Sequence, residues 1–103
     1  MHVRQSGEPG APGVVFLHGA GLSGRMWANH MARLSAFHCL APDFPGCGMS
    51  RQLPWTSSID VADDVATLIR ERVPAGRAHV VGISLGGAVA HTCWPATPIS
   101  WTV

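Results

Sequence analysis

The sequence predicts an α/β domain, a mostly parallel sheet flanked by helices, and three observations carry that expectation. Val14-Val15-Phe16-Leu17, His38-Cys39-Leu40-Ala41 and Ala78 to Ile83 are short apolar runs, compact enough for strands buried on both faces. They alternate with longer stretches whose apolar residues recur at helical spacing, the alternation expected of strand-helix-strand units with right-handed crossovers. The first and last runs lead directly into His18-Gly19-Ala20-Gly21 and Gly82-Ile83-Ser84-Leu85-Gly86. Turns at the carboxyl ends of parallel strands are where such sheets hold ligands.

Taken in order, Met1 to Gln5 can form a short strand, and Ser6 to Gly13, with three glycines and two prolines, reads as turn and loop. After the Val14–Leu17 strand a helix is expected. Ser23 offers an N-cap, and Trp27, Met31 and Leu34 fall on one apolar stripe, with Arg25, Asn29 and Arg33 away from it. That helix should end near Ser35 to Phe37, where the His38–Ala41 strand follows and Pro42 resists helix before it. Asp43 to Ser50 is a tight Gly/Pro turn continued by loop to Thr56. Ser57 or Ser58 then caps a helix carrying Ala62, Val65, Leu68, Ile69 and Val73 at helical spacing. Its acids (Asp60, Asp63, Asp64) come early and Arg70 and Arg72 late, as the helix dipole favours. Pro74-Ala75-Gly76 ends it, and the Ala78–Ile83 strand leads into a sharp turn at Ser84 and the start of a last helix.

Composition narrows the class. With 103 residues, 47% of them hydrophobic and 13% charged, the chain can bury a core and is not a disordered polymer. A net charge of +1 supplies no footprint for nucleic acid or an anionic membrane, and neither partner is expected. Cys39, Cys47 and Cys93 are odd in number and lack C-x-x-C spacing. Neither a disulfide framework nor a structural metal site is expected, and free thiols fit a reducing compartment. No signal-type segment opens the chain and no apolar run reaches membrane-spanning length, so a cytoplasmic location is the expectation. No organic cofactor is indicated.

Gly82-Ile83-Ser84-Leu85-Gly86 fits G-x-S-x-G, a strand-to-helix turn that exposes a serine hydroxyl. Gly82 and Gly86 are required on steric grounds, because their neighbours pass close to other backbone. The turn lifts the Ser84 hydroxyl above the sheet as a candidate nucleophile. It aims the Leu85 N–H where an oxyanion would form.

Three motifs together resemble the α/β-hydrolase superfamily: Phe16-Leu17-His18-Gly19-Ala20, Asp43-Phe44-Pro45-Gly46-Cys47-Gly48-Met49-Ser50 and the Gly82–Gly86 elbow. The match runs from about Val3 to about Ala90, most of this chain but only the N-terminal portion of the family's catalytic domain. The resemblance implies a partial α/β-hydrolase fold with strand order 2-4-3-5 in the family's numbering. It implies an oxyanion hole made by the Ala20 and Leu85 N–H groups, with His18 and Gly19 as structural residues of the loop. The implied activity is acyl transfer to water on an ester, lactone or similar small carbonyl compound, as in serine esterases and lipases. Lyase and peroxidase relatives leave other chemistry open.

Several residues have plainer roles. His18 braces its own loop rather than serving as the base, and Asp43 is a strand-end turn residue rather than the acid. Asp60, Asp63 and Asp64 form a solvated helix start. Trp27, Met31 and Leu34 are core, with Met26 and Trp27 the candidates to line an acyl pocket. His2, His30, His38 and His79 are surface or strand residues.

A serine hydroxyl needs a general base within reach, normally a histidine oriented by a carboxylate. The superfamily's chain order is Ser, acid, His. The 19 residues after Ser84 hold no Asp or Glu, and their one histidine, His91, lies about 10 Å away along the helix axis. The chain by itself is therefore expected to be inactive. The alternative reading is a non-catalytic fragment, a pseudoenzyme or an edge-strand interaction module.

The sequence divides at residue 90. Residues 1–90 read as half of a hydrolase domain, and 91–103 as a divergent, irregular tail in which Pro95 and Pro98 oppose helix. A truncated or frame-shifted reading frame would explain it. The last family-like strand would then keep an open apolar edge that invites self-association and low solubility.

Overall fold

The computed structural model describes residues 1–93 and 100–102. Five strands form one sheet: β1 (Val3–Ser6), β2 (Gly13–Leu17), β3 (His38–Pro42), β4 (Ala78–Gly82) and β5 (Ser100–Thr102). Their order is β1-β3-β2-β4-β5, with β1 antiparallel to β3 and every other neighbour parallel. The first four strands reproduce the implied 2-4-3-5 arrangement.

Alternation along β2 shows why its run is apolar throughout. Val15 and Leu17 join one core cluster, with Leu40, Val80, Val89 and the Val61, Val65 and Ile69 stripe of α2 (Ser58–Arg72). Val14 and Phe16 join the other, with Trp27, Met31, Cys39 and Ala41. A strand covered on both faces has no solvent side to give to polar residues. Each fully buried Val or Leu contributes about 1.5–3 kcal/mol. Trp27 and Met31 are core as expected, the indole stacked 5.2 Å from the Phe16 ring.

α2 begins where its cap predicts: the Ser57 hydroxyl accepts from the Asp60 N–H at 3.1 Å. The helix expected after Ser23 is shorter than the stripe suggests. Ser23 does cap, accepting from the Arg25 N–H, but Gly24–Trp27 is a 3-10 turn, and α1 covers only Ala28–Ala32. Gly24 is the reason. Its N–H is held by the Asp43 carboxylate at 2.7 Å, and a Cβ there would sit 2.7 Å from the Ala41 carbonyl oxygen. A tertiary anchor at the first turn thus overrides the local pattern.

The last helix, α3 (Leu85–Cys93), runs past Ala90. The edge of β4 that the sequence reading leaves open carries β5, paired at His79, Val80 and Val81. The physical reason is general: an unpaired row of β4 N–H and C=O groups is a template, and Trp101 and Thr102 are strand-favouring residues. Residues 94–99 and Val103, where most of the irregular tail was expected, lie outside the described residues. Among the described residues no helix is long and apolar enough to cross a membrane.

Candidate active site

Ser84 sits at the carboxyl end of β4 and immediately before α3, with its surface exposed. Its φ is 55°, the one left-handed non-glycine residue among those described. A non-glycine residue in that region costs about 1–3 kcal/mol and persists only where its surroundings over-determine it. Here they do. The Gly86 N–H donates to the Ile83 carbonyl at 2.9 Å, the Ala88 N–H to the Ser84 carbonyl at 3.1 Å, and the Ile83 N–H to the Leu17 carbonyl at 3.2 Å. A Cβ on Gly82 would lie 2.5 Å from the Gly86 carbonyl, and one on Gly86 would collide with the Leu17 carbonyl oxygen. Both glycines are therefore places where two backbones touch. Replacing Ser84 by Gly should relieve the strain and raise the unfolding free energy by about 1 kcal/mol, measured by urea denaturation.

β2 and β4 are paired neighbours, with Leu17 opposite Gly82, so their following loops leave the sheet side by side. Gly19 is buried against the elbow: a Cβ there would be 3.7 Å from both the Ser84 Cβ and the Ile83 carbonyl oxygen. Ala20 follows on the exposed side of that contact. Leu85 is the first residue of α3, where an N–H has no carbonyl one turn back in its own helix. The structure thus brings Ser84, Gly19, Gly82 and Gly86 into one junction, with Ala20 and Leu85 adjoining it in the chain.

His18 is fully buried, and both of its ring nitrogens are engaged by backbone groups. The Phe44 N–H donates to its Nε2 at 3.0 Å, so that nitrogen is the acceptor. The proton then lies on Nδ1, which donates to the Gly19 carbonyl at 2.7 Å. Its ring packs 4.3 Å from that of Phe44. His18 joins its own loop to the turn after β3, a connection no local pattern reveals.

Asp43 is likewise a fully buried organiser. Its carboxylate accepts from the Gly24 N–H (2.7 Å), the Met49 N–H (2.8 Å) and the Arg4 guanidinium (3.0 and 3.1 Å). One side chain therefore ties β1, the start of the 3-10 turn and the motif turn together. Ser50, closing the same motif, is also buried, and its hydroxyl accepts from the His2 N–H at 2.8 Å. Sequence reasoning missed Arg4 and Ser50 as site supports. Ser50 stood in the quoted motif, whereas Arg4 has no local signal.

Of the other candidates, Met26 lines a shallow concavity beside the Ala20 loop, while Trp27 is buried in the core and does not. Asp60, Asp63 and Asp64 are exposed, and no metal-holding cluster exists among the described residues. His2, His30 and His79 are exposed, and His38 is a buried strand residue. Cys39 is fully buried, which pushes its thiol up from the ordinary value, with the Ser6 hydroxyl opposing that rise. The described side chains of Cys39 and Cys47 are free thiols. At mildly alkaline pH, iodoacetamide should modify the half-buried Cys47 well ahead of Cys39, a contrast that peptide mass mapping reads directly.

The profile of the alpha/beta hydrolase family matches residues 14–100. A lipase of Mycobacterium tuberculosis is 35% identical over 95% of this chain and 37% of its own length. A pimeloyl-[acyl-carrier protein] methyl ester esterase of Chromobacterium violaceum is 42% identical over 77% of this chain and 30% of its own. Among solved structures, a hydrolase of Pseudomonas aeruginosa superposes with TM-score 0.82 at 26% identity, over 94% of this chain and 38% of that one. The N-acyl homoserine lactonase AidH superposes with TM-score 0.78 at 26% identity, over 96% and 39%. The chain spans about a third of the length of the curated relatives it matches. With its motifs, its strand order and these matches in agreement, the chain belongs to the alpha/beta hydrolase family as a partial domain.

Proposed function

We propose that this chain carries the nucleophile half of a serine hydrolase that transfers an acyl group from an ester, lactone or similar carbonyl compound to water. Ser84 attacks the carbonyl carbon, its hydroxyl proton passes to a general base, and the tetrahedral oxyanion is held by the N–H groups of Ala20 and Leu85. Collapse of that adduct breaks the bond to the alcohol, which leaves with the proton held by the base. Water, giving its own proton to the base, then attacks the acyl-serine, and the second adduct expels the acid as the proton returns to the Ser84 oxygen. The base and its orienting carboxylate come from outside these 103 residues. Among the described residues, His18 is committed to Phe44 and Gly19, Asp43 to Arg4, and His91 stands about two helical turns from Ser84. The chain alone is accordingly inactive in turnover.

The observation that carries this reading is the left-handed Ser84 clamped between Gly82 and Gly86 against the β2 loop. A structural turn gains nothing from placing an exposed serine in a conformation that glycine adopts without strain. Relatives named for ester and lactone hydrolysis support the substrate class.

A fluorophosphonate probe tests it. Labelling is expected at Ser84, slow for want of a base, and should vanish in Ser84→Ala. If no label appears and activated esters turn over no faster than in buffer, the non-catalytic fragment reading stands instead.

A further inference from the structure

We propose that the concavity beside the nucleophile is an acyl subsite for substrates whose apolar chain carries a negative charge, and that Arg25 selects them. The inference rests on Ser84 being the nucleophile and names the substrate class.

The concavity is about 480 Å³, within the range of small-molecule sites, and opens broadly to solvent. Leu22 and Met26 supply its apolar wall, and Arg25 its charge. Gly19 lies between one of its lining residues, Leu22, and Ser84. On one side, a Cβ at Gly19 would lie 3.4 Å from a Leu22 methyl; on the other, 3.7 Å from the Ser84 Cβ. An acyl chain leaving a carbonyl at Ser84 and passing Gly19 therefore meets Leu22 next. Leu22 is 49% exposed, so its side chain is open to contact by an apolar chain.

The local charge balance is one-sided. In the segments that follow β2 and β3, up to α2, the exposed Arg, Lys, Asp and Glu side chains are Arg25, Arg33 and Arg51, all cationic. The one carboxylate there, Asp43, is fully buried and paired with Arg4. Among the described residues no acid pairs with Arg25, so its field reaches into the concavity uncompensated. Asp60 in the first turn of α2 is the next acid along the chain. An apolar wall lined also by an arginine without an acid partner among the described residues fits a carboxylate- or phosphate-bearing chain better than a neutral one.

Monomethyl adipate and dimethyl adipate separate charge from chain and ester. Titrating each into the 103-residue chain, with the Leu22, Arg25 and Met26 amides followed by NMR, should show the half-ester binding about three- to fivefold tighter at low salt. The preference should fade as salt is raised. It should disappear in Arg25→Ala, survive in Arg25→Lys, and survive in Arg77→Ala, which removes a cation from the loop before β4. Equal affinities in the unaltered chain, a preference retained by Arg25→Ala, or no shift of these amides with either ester would overturn the proposal. The fluorophosphonate result keeps the two readings apart. Labelled Ser84 without charge preference sinks only the subsite, whereas an Arg25-dependent preference without labelling sinks the hydrolase chemistry and with it the acyl role, leaving an anion-selective concavity.

Discussion

Asp43→Ala is expected to lower the unfolding free energy by about 3–5 kcal/mol, a large share of what a domain of this size can hold. The carboxylate is fully buried and satisfies three separate segments at once. Removing it leaves the Gly24 and Met49 N–H groups without their acceptor and the Arg4 guanidinium, 26% exposed, without its counter-charge. The loss is larger than the worth of the ion pair alone, because desolvated partners are left behind. Arg4→Ala should cost less, since its position is partly open to water and Asp43 keeps both backbone donors. Urea denaturation of the two variants measures the difference. Equal losses would show that the pair, rather than the backbone donors, carries the stability.

Gly86→Ala should cost about 3 kcal/mol or more. The added methyl would collide with the Leu17 carbonyl oxygen and lie 2.7 Å from that of His18. These are backbone atoms of a central strand and of the loop it feeds, so no rotamer change relieves the contact. Relief requires α3 to move away from β2, which opens the junction at Ser84. The expected result is lost stability together with lost fluorophosphonate labelling. Gly10→Ala is the control: a Cβ there meets nothing within 4 Å, and stability should be unchanged or slightly raised. An unfolding midpoint for Gly86→Ala close to that of the unaltered chain would show that the elbow tolerates a wider approach than its geometry indicates.

The two substitutions also mark the boundary between what was legible and what was not. The glycines of the elbow could be assigned in advance because their reason is contained in a five-residue turn next to a strand. The caps of α2 and of the 3-10 turn were legible for the same reason, since Ser57 and Ser23 act on residues two or three positions away. Asp43 was recognisable as a turn residue, but not as the residue holding Arg4, 39 positions earlier, and Gly24, 19 earlier. That partnership exists only because β1 pairs antiparallel with β3 while β2 lies on the other side of β3. The shortened α1 is the visible consequence, an apolar stripe of correct helical spacing whose first turn is anchored elsewhere.

By itself the amino-acid sequence determined the order of the first four strands and their helices, the sharp Gly82–Gly86 turn and the family, because periodicity, capping and glycine sterics act over a few residues. Tertiary structure alone decided that His18 bridges two loops, that Arg4 neutralises the buried Asp43, that Ser100–Thr102 covers the edge of β4, and that Arg25 lines a concavity with Leu22 and Met26. Each of these depends on which strands become neighbours. A hydrogen bond or a charge acts over a few ångströms of space, and distance along the chain does not measure that space.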